Sequence, residues 1–420
     1  MPIVKSLSAL EILDSRGRPT LKATCLLGSG ARASASVPSG ASTGAAEARE
    51  LRDGDSGRHQ GLGCLKAVGH VNNELNNALA NRSFASQQDF DAALVRLDGT
   101  PDKSRLGANA LLAASLSFAR AAAADQAVTL YRYFAEVAGR TPDSLPRLTV
   151  NLFSGGLHAG GQVAIQDVLL VPQATTIAGS LEVAAAVYRA AAQLTLKDYG
   201  MRELKADEGG LAPPFPHTRA MLEQAVAAIR AAGLRPGTDV ALAVDVASSQ
   251  FYRDNRYHLD GQALDGPAMV RNLQSWLKDF PIVSIEDPLA QEDWPHWTKF
   301  RQEVGSKLLV MGDDLLCTNV ARIRKAIDGE AANALLLKVN QIGTVTEACD
   351  ALRLARSANW SVTVSARSGE TEDDWLADLA VGWGGDFLKV GSIRQSERLA
   401  KYNRLLEIEA ETGLPLPPQL

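Results

Sequence analysis

Cysteine is scarce in this chain, with four among 420 residues: Cys25, Cys64, Cys317 and Cys349. None forms a CxxC pair, so neither a disulfide framework nor a zinc-thiolate site is expected, and a reducing cytoplasm is the default compartment. An excess of one charge sign is missing too, with 43 Lys and Arg against 48 Asp and Glu and a formal net charge of −5. That balance gives no broad field for nucleic acid or an anionic membrane, and neither is an expected partner. A small anionic substrate would need positive charge gathered locally. Long apolar runs are absent. The start, MPIVKSLSALEILDSRG, lacks the apolar core of a signal peptide. The most apolar helical stretch, Leu111–Ala124, is broken by Arg120 and is too short to cross a bilayer. There is no low-complexity tail and no internal repeat.

What is present is ordinary globular composition, 46% hydrophobic and 22% charged. The length suits one large domain plus a smaller one, with ample core. Leu21–Leu27 and Ala31–Val37 read as strands around a Gly28-Ser29-Gly30 turn. Residues 44–52 and 61–80 read as helices, and Leu106–Ala124 as a long helix rich in strong helix formers. The run Gly139-Arg140-Thr141-Pro142-Asp143-Ser144-Leu145-Pro146 has linker composition and divides the chain into domains 1–138 and 139–420.

Beyond it, short apolar runs alternate with helical stretches such as Leu181–Tyr199 and Arg219–Ala232, the pattern of a parallel α/β sheet. Each run delivers a polar group at the same end. Val240–Val244 ends in Asp245, Ile282–Ile285 in Glu286, Leu308–Gly312 in Asp313 and Ala334–Leu337 in Lys338. Ser361–Ser365 leads into Arg367 and Ser368, and Phe387–Leu388 ends in Lys389. Six such runs predict a barrel with its site at the C-terminal ends of its strands. An open doubly wound sheet, the alternative, would use one switch point rather than every strand.

Asp245, Glu286 and Asp313 put three carboxylates on three successive strands. A hard divalent cation such as Mg2+ takes oxygen ligands of this kind, and without one the cluster repels itself. Any one of the three alone reads as a strand-end or helix-cap acid. Asp287 and Asp314, next in line, read as caps or supports. Lys338 follows an apolar run, where burial can lower its pKa as a general base requires; otherwise it is a partner for the carboxylates. Arg367 with Ser368 suits a phosphate, although a lone Arg-Ser is usually a surface pair.

The stretches SGASTG (39–44), DEGG (207–210), SIEDP (284–288), GDDL (312–315), KVNQIG (338–343) and RSGETED (367–373) together resemble enolase, phosphopyruvate hydratase, over residues 3 to about 412. The resemblance implies an α+β N-terminal cap on a modified (β/α)8 barrel, a homodimer, and two Mg2+ ions, the second recruited with substrate. Asp245, Glu286 and Asp313 match the metal ligands. Ser42 matches a loop serine that reaches the second ion and the substrate. Lys338 matches the base, in keeping with the Lys or His base known for enolase-superfamily sites. Lys389 matches the lysine beside the substrate carboxylate, and Arg367 and Ser368 match the phosphate clamp. Glu208 matches the acid that protonates the departing hydroxyl, and His158 a loop histidine that closes over the ligand.

Two positions depart from that pattern, both at the leaving-group corner. Ala366 stands where the family has a histidine, and Asp167 where it has a glutamate. Binding of a phosphorylated three-carbon acid should survive both changes. Loss of hydroxide should weaken, because general acid catalysis supplies about 10²–10⁴-fold. The corner should also admit a larger group. An enolase-like relative that fits is carboxyphosphonoenolpyruvate synthase of phosphonate antibiotic (phosphinothricin-type) biosynthesis. It joins a carboxyphosphono unit from a cytidylyl-activated phosphonoformate to a three-carbon enol, which would make a cytidine conjugate a second substrate. An ordinary enolase that tolerates both changes is the alternative. A non-catalytic enolase-like binding protein is a third reading, against which an idle cluster of carboxylates beside a lysine has no physical reason to persist.

Overall fold

The computed structural model describes residues 1–41 and 43–418. Alternating burial marks β1 (Val4–Leu13), which pairs antiparallel with β2 (Pro19–Leu27) from Leu13↔Pro19 to Val4↔Leu27. β3 (Arg32–Ser36) returns alongside β2 across the expected turn, where Gly30 takes a φ of +96° that favours glycine. The helix Ala108–Asp125 covers this sheet. Only Arg120, Ala124 and Asp125 on it are not buried, as an all-round apolar helix requires. Helical turns span 65–79, within the expected 61–80.

The helix expected at 44–52 does not form. The amides of this segment find acceptors outside it: Ala48 donates to the Gln341 carbonyl, Arg49 to Asp102, and Leu51 to Asn109 Oδ1. Its charged side chains are drawn toward the barrel and the cap rather than along a helix face. Tertiary partners therefore override local propensity.

The second unit begins with β4 (Arg147–Ser154), β5 (Asp167–Pro172) and β6 (Val240–Asp245). A small antiparallel sheet of β7 (Tyr252–Arg253), β8 (Arg256–Leu259) and β9 (Gln262–Leu264) follows. The remaining strands are β10 (Ile282–Glu286), β11 (Leu309–Gly312), β12 (Ala334–Leu337), β13 (Ser361–Ser365) and β14 (Phe387–Gly391). They close a barrel in the order β10-β11-β12-β13-β14-β4-β5-β6. Closure excludes the open sheet. β5 runs antiparallel to both neighbours while all other pairs are parallel, so this is an α/β barrel with one strand reversed.

Helices Ile177–Tyr199, Thr218–Ala231 and those after β10–β14 wrap the outside. Outward strand residues join the main core. Leu169, Val171, Ala241, Ala243 and Phe387 form a separate cluster, as do Met311, Ala334 and Leu336, on the inward faces. Among the described residues no helix is long and apolar enough to cross a membrane.

Register positions the site. Asp167, Asp245 and Glu286 stand level across β5, β6 and β10, and Ser365 stands level with Lys389. The barrel thus brings Asp167, Asp245 and Glu286, which are 41 to 119 positions apart, into one layer.

Candidate active site

A strand that ends in a buried carboxylate must compensate that charge. Asp245 and Glu286 do so through one group: Lys389 Nζ lies 2.8 Å from Asp245 Oδ2 and 2.7 Å from Glu286 Oε2. Gln166 Nε2 donates to the same Asp245 oxygen at 2.9 Å. Burial pushes Glu286 well above the ordinary carboxylate range and Asp245 beside it adds to this, against the pull of Lys389. Burial alone would lower Lys389, but Asp245 and Glu286 hold its ammonium well above its usual value.

Asp313 is turned to another partner, Lys338 Nζ at 2.5 Å, with Gln341 Nε2 donating at 2.7 Å to its other oxygen. The lowered lysine pKa expected for Lys338 is not what the structure gives. Burial does push it down, but the carboxylates of Asp313 and Glu286 together outweigh burial and the pKa is raised. Asp287 supports this strand end as expected, accepting the amides of Asp313 and Asp314 at 3.0 and 2.7 Å. Its carboxylate is thereby committed to the loop rather than the cavity.

The three expected ligands reach one end of the barrel, and one atom there argues for a cation. Glu286 Oε1 is buried with no hydrogen-bond partner among the described residues, which is costly for an anion. Three carboxylates with an unpaired oxygen suit a hard divalent ion such as Mg2+. Ser42 lies outside the described residues.

A second cluster, the corner expected to face a leaving group, is built by β4, β5 and the loops around them. Asp167 is fully buried and accepts from Asn151 Nδ2 and Ser154 Oγ, each at 2.7 Å. Gly210 in the DEGG turn has no room for a side chain, since a Cβ there would lie 2.5 Å from Asn151 Oδ1. That close approach sets Glu208 against the same corner. His158 Nδ1 lies 3.2 Å from Asp167 Oδ2, and ligand atoms of His158, Asp167 and Glu208 all lie within 4.8 Å of one another.

Burial would discharge His158, but Asp167 and Glu208 raise its pKa to about 9. Burial raises Glu208, yet His158, Arg398, Lys389 and Lys338 outweigh it and hold the carboxyl at about 2. These charges favour a protonated His158 and an ionised Glu208, while burial raises Asp167 against the pull of His158. Ala366 is buried, its amide donating to the Lys389 carbonyl at 2.8 Å, and it brings no titratable group.

Arg367 and Ser368 follow Ala366, both buried. Glu47 takes the end of the Arg367 guanidinium, with Oε2 3.0 Å from Nη1 and Oε1 3.2 Å from Nη2, and Asn340 Oδ1 accepts from Nη1 at 3.1 Å. Burial lowers and Glu47 raises the Arg367 pKa, and Glu47 prevails. Arg16 from the cap donates to Ser368 Oγ at 3.0 Å. Sequence reasoning missed Glu47, Arg16, Gln166, Asn340 and Gln341 as members of this site. Asn340 and Gln341 stood in the KVNQIG stretch and could have been taken with Lys338. Glu47 was hidden by the helical reading of 44–52.

Two family models match the chain. One is the enolase N-terminal domain, over residues 4–134; the other is the enolase C-terminal TIM barrel domain, over residues 142–415.

Proposed function

Because the chain belongs to the enolase family, we propose that it is a Mg2+-dependent enzyme acting on a phosphorylated three-carbon acid, with its leaving-group corner altered for a reaction other than dehydration. The type that fits best is a carboxyphosphonoenolpyruvate synthase, working as a cytoplasmic homodimer. In that reaction the enol oxygen gives up its own phosphoryl group to water, releasing inorganic phosphate, and forms a bond to the phosphorus of a cytidylyl-activated phosphonoformate. The bond from phosphorus to the cytidylyl oxygen breaks, and the nucleotide leaves with the electron pair.

The observation that carries this reading is Ala366. A methyl group sits in the turn between β13 and the Arg367–Ser368 pair, where it is buried and offers neither a proton nor a hydrogen bond. Asp245, Glu286 and Asp313 would hold Mg2+, which when bound supplies charge stabilisation for an enolate-like carboxylate. Arg367 and Ser368 would bind the phosphate, the guanidinium offering a planar fork. Lys389 would face the substrate carboxylate. Lys338 would hold or return the proton at the adjoining carbon. Displacement at phosphorus depends chiefly on positioning and on preset positive charge, which these residues offer.

One observation favours a second reading, ordinary 2-phosphoglycerate dehydration. His158 carries a proton in the corner, its pKa raised to about 9, and could serve a departing hydroxyl without the missing histidine. The double variant Ala366→His with Asp167→Glu separates the two. If the altered corner is what blocks dehydration, the variant should gain at least tenfold in 2-phosphoglycerate turnover, a fraction of what general acid catalysis supplies (about 10²–10⁴-fold). A folded, Mg2+-binding variant with no gain would remove the leaving-group explanation.

A further inference from the structure

The helix Ser396–Thr412 turns three polar side chains, Arg398, Lys401 and Tyr402, into the protein, each no more than 1% exposed. A guanidinium at that depth is costly unless acceptors surround it. Arg398 finds four, all main-chain carbonyls. Nη1 donates to Arg367 at 2.6 Å and to Val390 at 3.3 Å, and Nη2 to Ser368 at 2.6 Å and to Asp207 at 3.4 Å. Nε lies 3.2 Å from Glu397 Oε1. The four carbonyls come from three separate segments, and each belongs to or adjoins a candidate site residue: Arg367, Ser368, Lys389 and Glu208. Gly391 makes the approach possible, since a Cβ there would lie 2.8 Å from the Glu208 carbonyl and 3.0 Å from Arg398 Cδ.

The consequence lies on the far side of one peptide bond. A trans peptide is planar, so the Arg367 carbonyl turned to Arg398 sends the Ser368 N–H the opposite way. Ser368 is 4% exposed, and its N–H has no acceptor among the described residues. A buried backbone donor without an acceptor is rare and marks a place for one. The next amide, Gly369, is already committed to the Ser39 carbonyl at 2.9 Å.

We infer that Arg398 is a positioning residue, whose fork fixes the 367 and 368 carbonyls and so holds the Ser368 N–H out as a donor to a phosphate oxygen beside Arg367. This rests on the proposed reading of Arg367 and Ser368 as an anion clamp. Lysine at 398 keeps the charge but cannot bridge both carbonyls with a planar fork.

Inorganic phosphate is the ligand to use, with Mg2+ present. Arg-Ser occurs three times in the chain, at 82–83, 356–357 and 367–368. Carbonyl-labelled arginine with 15N-serine therefore reduces the amide spectrum to three signals. In the parent, phosphate should move the 367–368 signal and leave the other two. In Arg398→Lys, phosphate affinity should fall roughly tenfold or more, the loss of one charge-assisted hydrogen bond, with Mg2+ affinity unchanged. Parent protein that binds neither phosphate nor phosphoenolpyruvate overturns the clamp reading and this inference together. Phosphate binding that leaves the 367–368 signal in place overturns the amide donor, whether or not the variant folds. Equal phosphate affinity in Arg398→Lys, or parallel loss of phosphate and Mg2+, overturns the positioning role while the clamp stands.

Discussion

Glu208 is a buried carboxylate with no hydrogen bond to its side chain among the described residues, and it shares its space with His158 and Asp167. The imidazolium of His158, its pKa raised from 6.5 to about 9, offsets both carboxylates together with more distant cations such as Lys389. A base whose folded pKa is raised adds stability that is complete below its unfolded pKa and disappears as pH climbs through the folded one. Parent protein should therefore exceed His158→Gln in unfolding free energy by roughly 3 kcal/mol below pH 6.5, the equivalent of that pKa change. The gap should close above pH 9. Denaturant titrations of both proteins across this range check it, and a gap that does not change with pH would place no charge on His158. The sequence made Asp167 and Glu208 legible as members of one corner, and His158 as a loop histidine that closes over the ligand. It could not say which held the proton, because that depends on three burials and on lysines and an arginine from distant strands and helices. Lys338 shows the same limit: burial follows from its apolar run, but Asp313 Oδ2 at 2.5 Å does not.

At the scale of elements, the strand ends were readable because a barrel imposes a period on the chain. Each strand must bury its middle and may present a polar group only where it emerges. Asp245, Glu286, Asp313, Lys338 and Lys389 all emerged where that rule put them. The segment 44–52 was not readable, since its conformation is set by acceptors on Gln341, Asp102 and Asn109 rather than by its own pattern. The turn after β11 shows how a short element depends on one side chain. Asp287, itself at a φ of +41°, holds the amides of Asp313 and Asp314. Asp287→Ala should loosen the Asp313 carboxylate and weaken Mg2+ binding about 10–100-fold, as removal of outer support for a ligand does. Calorimetric titration with Mg2+ measures this. Unchanged affinity would show that Asp313 is held well enough by Lys338 and Gln341, or does not bind the ion.

On the scale of the whole molecule, the cap and the barrel meet around Arg367 and Ser368. Ser39 and Gly369 exchange backbone hydrogen bonds at 2.8 and 2.9 Å, Arg16 reaches Ser368, and Glu47 seats the guanidinium of Arg367. Arg367 and Ser368 are thus held by groups from both parts of the chain. Whether a changed reaction leaves binding at Arg367 and Ser368 intact is read out by one assay. Purified protein with Mg2+ and 2-phosphoglycerate is followed by the ultraviolet absorbance of phosphoenolpyruvate, alongside Mg2+-dependent binding of both acids. The account predicts binding with little or no turnover, after which activated phosphonates become the substrates to test. Turnover at the rate of an ordinary enolase would contradict it, and would mean that Ala366 and Asp167 are tolerated in a working hydratase.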